Sequence, residues 1–458
     1  MEGSSLDLFI DPEKSFNSPL MLGHSSGRLV LGRYIPTLDI VALITNTESF
    51  NFDAFIKNIL RPDNPLEKAV RYHEFLGHVE LTKKSSYWAN LFLVEVYSSL
   101  GFHRVEWIVE NDLVQEKKER IRRDLRDMIA MDNIQRFLHN GWRIVQEVMA
   151  NSYLLKVRNE VDDPEFRRII DSLVWKANNE NTAIVRLTKL CESIMKNLGY
   201  DKGWLMLETA SLIASSPKIL SEGKPKNQEE LRRMKKEDFE RGFRDGKFDP
   251  LRSSPNGRFL EMALVIGRNT DIMERSLKRG VDPLAIVFYV ANMCGHEFRL
   301  PHDYLSLMSE RMKIISQDKN VIPDDSRRSW HVEASEFLDI FKEITNIEEP
   351  IGIFVNNIKT GKIYSIAHML LNRNRVLQKY LYTEVMKYQF MKSLEKGEDL
   401  IRCFENRLHF CKDDCRTCDI YPYLRIARDT FKVASEFSYE DLREDAMDMK
   451  KLKERSLA

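Results

Sequence analysis

Glycine and proline are scarce in this chain of 458 residues, at 19 and 15. Turn-rich β architectures use both freely. Their scarcity, beside a charged content of 31%, favours long solvated helices laced with ion pairs. Charge of one sign is missing too, because 70 Lys and Arg stand against 70 Asp and Glu. A dedicated phosphate binder carries a basic excess, so this balance gives no global argument for nucleic acid and leaves only local patches. No uncharged apolar run approaches the roughly 20 residues of a membrane helix. The opening stretch, MEGSSLDLFIDPEKSF, has acids where a secretory signal has its basic region. The expectation is a soluble, cytoplasmic protein with no membrane partner. Cysteine is limited to six. Cys191 and Cys294 stand alone while the other four crowd near the C-terminus, which speaks for a metal site in a reducing compartment and against a spread disulfide framework. With 43% hydrophobic and 10% aromatic residues the chain is too apolar to be disordered, and its length suggests about two or three domains.

The patterning predicts a mainly α, multi-helix protein with a small N-terminal β-containing segment and a C-terminal Cys-rich metal module. Strand character is confined to residues 1–63, through Leu29-Val30-Leu31 and Ile40-Val41-Ala42-Leu43-Ile44. A helical domain follows over 64–214, with helices expected at 65–82, 112–137 and 140–157 and another opening at Asp163-Pro164. Residues 215–257 read as a charged linker around an exposed polar helix at 229–244. The remainder, 258–458, reads as a helical C-terminal domain, with helices near 259–280, 283–295, 302–316, 330–346, 364–395, 399–409 and 424–436.

Tyr72-His73-Glu74-Phe75-Leu76-Gly77-His78 is the most informative stretch. It is close to the H-E-x-x-H pattern, in which two His one helical turn apart reach a zinc ion and the Glu polarises the bound water. Here one residue, Leu76, is inserted. At about 100° per residue, positions i and i+5 of a regular α-helix point roughly 140° apart, so both imidazoles reach one ion only if the backbone adjusts. A π-bulge absorbs a single inserted residue and occurs disproportionately at functional sites, and Gly77 suits such a distortion.

Over roughly residues 60–157 the chain resembles gluzincin-like zinc metallopeptidases. In that clan the third ligand is a Glu on a later helix followed by small residues, and Gln146-Glu147-Val148-Met149-Ala150-Asn151 looks like that element. The resemblance implies Zn2+ held by His73, His78 and Glu147, Glu74 as the general base, and a peptide or protein substrate attacked by a metal-activated water. An ordinary pair of helix histidines, or a peptidase scaffold whose site the insertion has broken, are the competing readings of the same residues.

Cys403-x7-Cys411-x3-Cys415-x2-Cys418 suits a closed tetrahedral zinc site of structural type. His409 is a potential substitute for one thiolate, and an iron–sulfur cluster uses the same thiolate count. The last three cysteines also share the spacing of the radical-SAM triad, but they lie at the end of a helical chain and not after an early strand of a barrel. His296 with Glu297 and His302, His331 with Glu333 and Glu336, and His368 read as packing or capping residues. The basic runs at 117–123 and 232–236 have acidic neighbours and read as solvated faces. Glycine-rich phosphate loops do not occur. Two function classes follow: a zinc-dependent peptidase or amidase, or a non-enzymatic helical scaffold with a structural four-cysteine metal site and nucleic acid as a candidate partner.

Overall fold

In a computed structural model of the protein, the described residues are 31–35, 39–45, 65–88, 111–176, 182–216, 254–296, 343–347, 349–357 and 362–367, with isolated shorter pieces between and after them. They are predominantly helical. One continuous helical run is α over Pro65–Arg71 (α1), π over Tyr72–Glu80, and α again over Leu81–Lys84 (α2). Next come α3 (Lys118–Glu160), α4 (Pro164–Asp171) with a π turn at Ser172–Lys176, α5 (Thr182–Leu198) and α6 (Tyr200–Ala214). Then come α7 (Pro255–Arg268), α8 (Thr270–Lys278) and α9 (Pro283–Met293).

Helix starts follow the chemistry of orphan amides. Asp163, Ser254 and Asp282 each accept hydrogen bonds from backbone N–H groups of the first turn, and each is followed by proline, whose missing N–H costs nothing there. Two helix boundaries differ from expectation. The helices expected at 112–137 and 140–157 are a single 43-residue helix, α3, about 65 Å long, and residues 112–117 are turns ahead of it. Gly141 does not break it. A Cβ there would lie 3.1 Å from Pro255 Cδ, so the small residue admits the start of α7. Conversely, the helix expected over 259–280 is two, α7 and α8. Asn269 ends the first, its side-chain amide donating to the Val265 carbonyl at 2.7 Å.

The helices pack α3 against the π segment, α5, α6 and α7, and α9 against α6 and α7. Among the described residues the core is one apolar cluster that runs from Tyr34 and Val41 through Trp142, Met149 and Phe259 to Ile353 and Val355. Tyr87 stacks on Trp142, both fully buried, with ring centroids 5.4 Å apart. Among the described residues no helix is long and apolar enough to cross a membrane.

The strand reading is corrected by a four-stranded sheet in the order β1 (Leu31–Ile35), β2 (Ile40–Thr45), β3 (Gly352–Asn357), β4 (Lys362–Ala367). The outer pairs are antiparallel hairpins and the central pair, β2 with β3, is parallel, Val41 opposite Ile353. Half of the sheet therefore comes from beyond residue 350, and residues 364–367 are strand where a helix over 364–395 was expected. Cys403, Cys411, Cys415 and Cys418, with His302, His331 and His368, lie outside the described residues. So do the helices expected at 302–316 and 399–409 and most of those at 229–244, 330–346 and 424–436.

A buried ionic knot fixes this sheet to the helical run. Lys83 Nζ lies 2.8 Å from Asp39 Oδ2 and donates to the carbonyls of Ile347 and Glu349 at 2.9 and 2.8 Å. Asp39 also accepts from the Tyr34 hydroxyl at 2.9 Å and from the Ile351 N–H at 3.1 Å. Asp39 sits at φ 49°, a left-handed turn conformation that Asp tolerates better than most residues. Burial raises the Asp39 pKa and lowers that of Lys83 in spite of their mutual attraction. That is the expected sign for a pair whose desolvation outweighs its Coulomb gain.

Candidate metal centre

The inserted residue is absorbed by a π segment, and a longer one than a single bulge: nine residues, Tyr72–Glu80. In a helix whose backbone bonds run from i to i+5, residues five apart stack on one face. His73 and His78 are such a pair. Their Nε2 atoms are 3.1 Å apart and their rings nearly perpendicular, at 81°. Leu76, the extra residue, is only partly buried, while His73, Glu74, Phe75, Gly77 and His78 are buried.

Helix α3 brings the carboxylate. Glu147 approaches His73 Nε2 with Oε2 at 3.6 Å and His78 Nε2 with Oε1 at 3.7 Å. Small residues make this approach possible. A Cβ on Gly77 would fall 2.7 Å from both Cα and Cβ of Ala150, so Gly77 and Ala150 set the distance between the two helices one turn from Glu147. Gln146 locks the register, its side-chain amide donating to Thr82 Oγ at 2.7 Å in the interior. Around the rim Tyr72 meets Tyr153 and Phe166 at centroid distances of 6.1 Å.

The electrostatics follow from burial of three titratable groups together. Burial disfavours a charged His73, but the Glu147 carboxylate and the field of Glu74 outweigh it, and the His73 pKa ends above its ordinary value. For His78 burial wins. Glu147 resists it, His73 adds to it, and the pKa falls to about 4. Burial pushes the Glu147 carboxyl up, yet His73, His78 and Arg143 carry it down to about 2. The carboxylate is thus held ionised beside two imidazoles.

The donor set fits zinc by distance and by chemistry. Zn–N and Zn–O bonds of about 2.0–2.1 Å at tetrahedral angles place neighbouring ligand atoms about 3.3–3.4 Å apart. The separations of 3.1, 3.6 and 3.7 Å bracket that edge. Two imidazoles and a carboxylate are a common zinc set. Ring orientation comes from packing: His73 Nδ1 has no hydrogen-bond partner among the described residues, where metal-bound histidines usually have one. Only Glu147, with 14% of its side chain accessible, touches solvent appreciably.

Of the residues singled out in the sequence, His73, His78 and Glu147 converge, and Glu74 is buried at 1% between the two histidines in the same π segment. His296 has a partner on another helix: its Nε2 meets Glu261 Oε2 at 3.0 Å. Thr82 was not singled out in the sequence, and Gln146 and Ala150 entered it only as part of the segment around Glu147. The helical spacing of Glu147 and Ala150, opposite Gly77 in the motif, was the available signal. No family model matches the chain, and neither curated proteins nor solved structures give a match.

Proposed function

We propose that the protein is a zinc-dependent hydrolase of peptide or amide bonds, with the ion held by His73, His78 and Glu147. The observation that carries this reading is the π segment. An inserted residue that would throw one histidine off the face is compensated by backbone, and the two imidazoles and Glu147 end at tetrahedral spacing. A zinc ion there would supply a Lewis acid that polarises a carbonyl and lowers the pKa of water. The chain's own residues do the rest. Glu74 takes the proton of the attacking water and returns it to the leaving amine, the role of a buried carboxylate beside the ligands. Glu147 keeps its charge and neutralises part of the ion's. Tight packing through Gly77 holds the three donors without loop motion. Cys403, Cys411, Cys415 and Cys418 form, in this reading, a separate structural zinc or iron–sulfur module.

Metal content and hydrolysis of a mixed fluorogenic peptide library test the proposal. His73→Ala, His78→Ala and Glu147→Ala should each lose one zinc per chain, and Glu74→Gln should keep it while losing about 100- to 10,000-fold in rate. If all three ligand variants retain the metal content of the wild type, the hydrolase reading is lost. The chain is then a helical scaffold whose metal resides elsewhere.

A further inference from the structure

A second group of unlike donors meets where α7 packs on the end of α9. Glu261 lies in the middle of α7, and Cys294 and His296 flank Gly295 just after α9. One donor atom from each of the three residues lies within 4.8 Å of the others. His296 Nε2 and Glu261 Oε2 are 3.0 Å apart.

The turn that presents Cys294 and His296 is tightly determined. Gly295 has φ +69°, a left-handed conformation that glycine adopts without penalty. The N–H of Cys294 bonds to the Val290 carbonyl at 3.0 Å, that of Gly295 to Asn292 at 3.0 Å, and that of His296 to Ala291 at 2.9 Å. These bonds close the helix in a glycine-terminated cap. The cap folds His296 back over α9, where its side chain is 1% accessible. The opposing helix is held equally firmly. Asn256 accepts from the Val145 N–H on α3 at 3.1 Å, and Arg258 donates to the Ile213 carbonyl at 3.1 Å. Neither side of the cluster is a loose loop.

An imidazole paired with a carboxylate accounts for His296 and Glu261. It leaves unexplained why the same turn delivers a thiol to the same point. Thiolate, imidazole and carboxylate together form a donor set for a borderline-soft divalent ion. The sulfur argues against magnesium and calcium, which take oxygen ligands. We propose that Glu261, Cys294 and His296 form a second metal site, taking Zn2+, that clamps α7 to the end of α9. It is independent of the centre at His73, and its failure leaves the hydrolase reading untouched.

The test is zinc stoichiometry of the full-length chain, stripped with chelator, reloaded with Zn2+ and washed. Cys294→Ser and His296→Gln should each hold one zinc fewer per chain than the wild type, and Glu261→Gln should bind that zinc at least tenfold more weakly. Loading with Co2+ instead should give a thiolate-to-cobalt charge-transfer absorption that falls in Cys294→Ser and not in His73→Ala. The double variant His73→Ala/Cys294→Ser should lose two ions if both centres exist, one if only this one does. Full zinc occupancy and unchanged cobalt absorption in Cys294→Ser overturn the proposal and leave a His–Glu pair beside a free thiol. Cys294 is partly exposed at a helix end, so its serine variant decides the matter even if His296→Gln does not fold.

Discussion

One helical run, residues 65–84, carries two buried polar clusters that solve the problem of burial in opposite ways. Around Lys83 every valence is closed inside the protein: the ammonium has three donors and all three are used, on Asp39, Ile347 and Glu349. Around His73 the closure is only partial. The two imidazole nitrogens share one hydrogen bond at 3.1 Å, and the Glu147 oxygens stand at 3.6 and 3.7 Å, beyond good hydrogen-bond length. A cluster that satisfies itself is a staple. One whose potential ligand atoms converge on a point with bonds still to make is a binding site in form, and that contrast, more than the motif, separates the two ends of the run.

Breaking the closed cluster should cost most. Lys83→Met leaves the Asp39 carboxylate buried without its cation, and we expect a loss of about 3–5 kcal/mol in urea unfolding. Adding Asp39→Asn, which removes the buried charge and keeps an acceptor for the Ile351 N–H while its amide NH2 donates to the Tyr34 hydroxyl, should return part of it. A loss below about 1 kcal/mol for the single variant would mean that the pair is hydrated in solution and not closed.

The open cluster should respond to pH instead. In chelator-treated protein His78 has its folded pKa near 4 against about 6.5 unfolded. Below pH 6.5 the unfolded chain binds a proton that the folded chain refuses. The stability that His78 contributes is therefore complete above 6.5 and falls as the pH drops toward 4, by on the order of 3 kcal/mol. His73, raised, loses its contribution only above 6.5, and Glu147, held near 2, only below about 4.5. Urea midpoints at pH 7 and pH 5 measure the slope, and His78→Gln should flatten it.

Gly77→Ala comes next, at about 1–3 kcal/mol of overpacking, because its Cβ would press on Ala150 Cα as well as Cβ. It should weaken zinc binding at least tenfold by parting the helices, a split that calorimetric titration would show and that Lys83→Met should not share. Smallest is Gln146→Leu, which strands the Thr82 hydroxyl and should cost about 1–2 kcal/mol. Pairing it with Thr82→Val should recover most of that, as a double-mutant cycle would record.

What could be read in advance divides along the same line. The angular misfit of His73 and His78 on an α-helix is arithmetic on one short segment, so the π distortion was legible. Glu147 was legible through the motif that follows it. Asp39 and Lys83 carry no motif, and their partners Ile347 and Glu349 are backbone groups, which no side-chain pattern announces. The strands Gly352–Asn357 and Lys362–Ala367 were missed for a related reason. Their pairing with Ile40–Thr45 is parallel and remote, while the local sequence is flanked by helical patterns. His296 has Glu297 and His302 as its neighbours in sequence, whereas its neighbour in space, Glu261, sits on another helix.

The Lys83 knot also sets a clock. Its carbonyl partner Glu349 is 266 residues further along the chain, and the parallel strand pairing waits for the same stretch. At roughly 5–20 residues per second of synthesis, the knot and the sheet stay unmade for roughly 15–50 s after Lys83 has been added. For that interval β2 lacks its parallel partner β3, and Lys83 lacks two of its three acceptors. Long-range closure of this kind makes folding slow and leaves the nascent chain exposed to misassociation. The His73 centre is under no such delay, since all of its donors have left the ribosome long before the sheet can close.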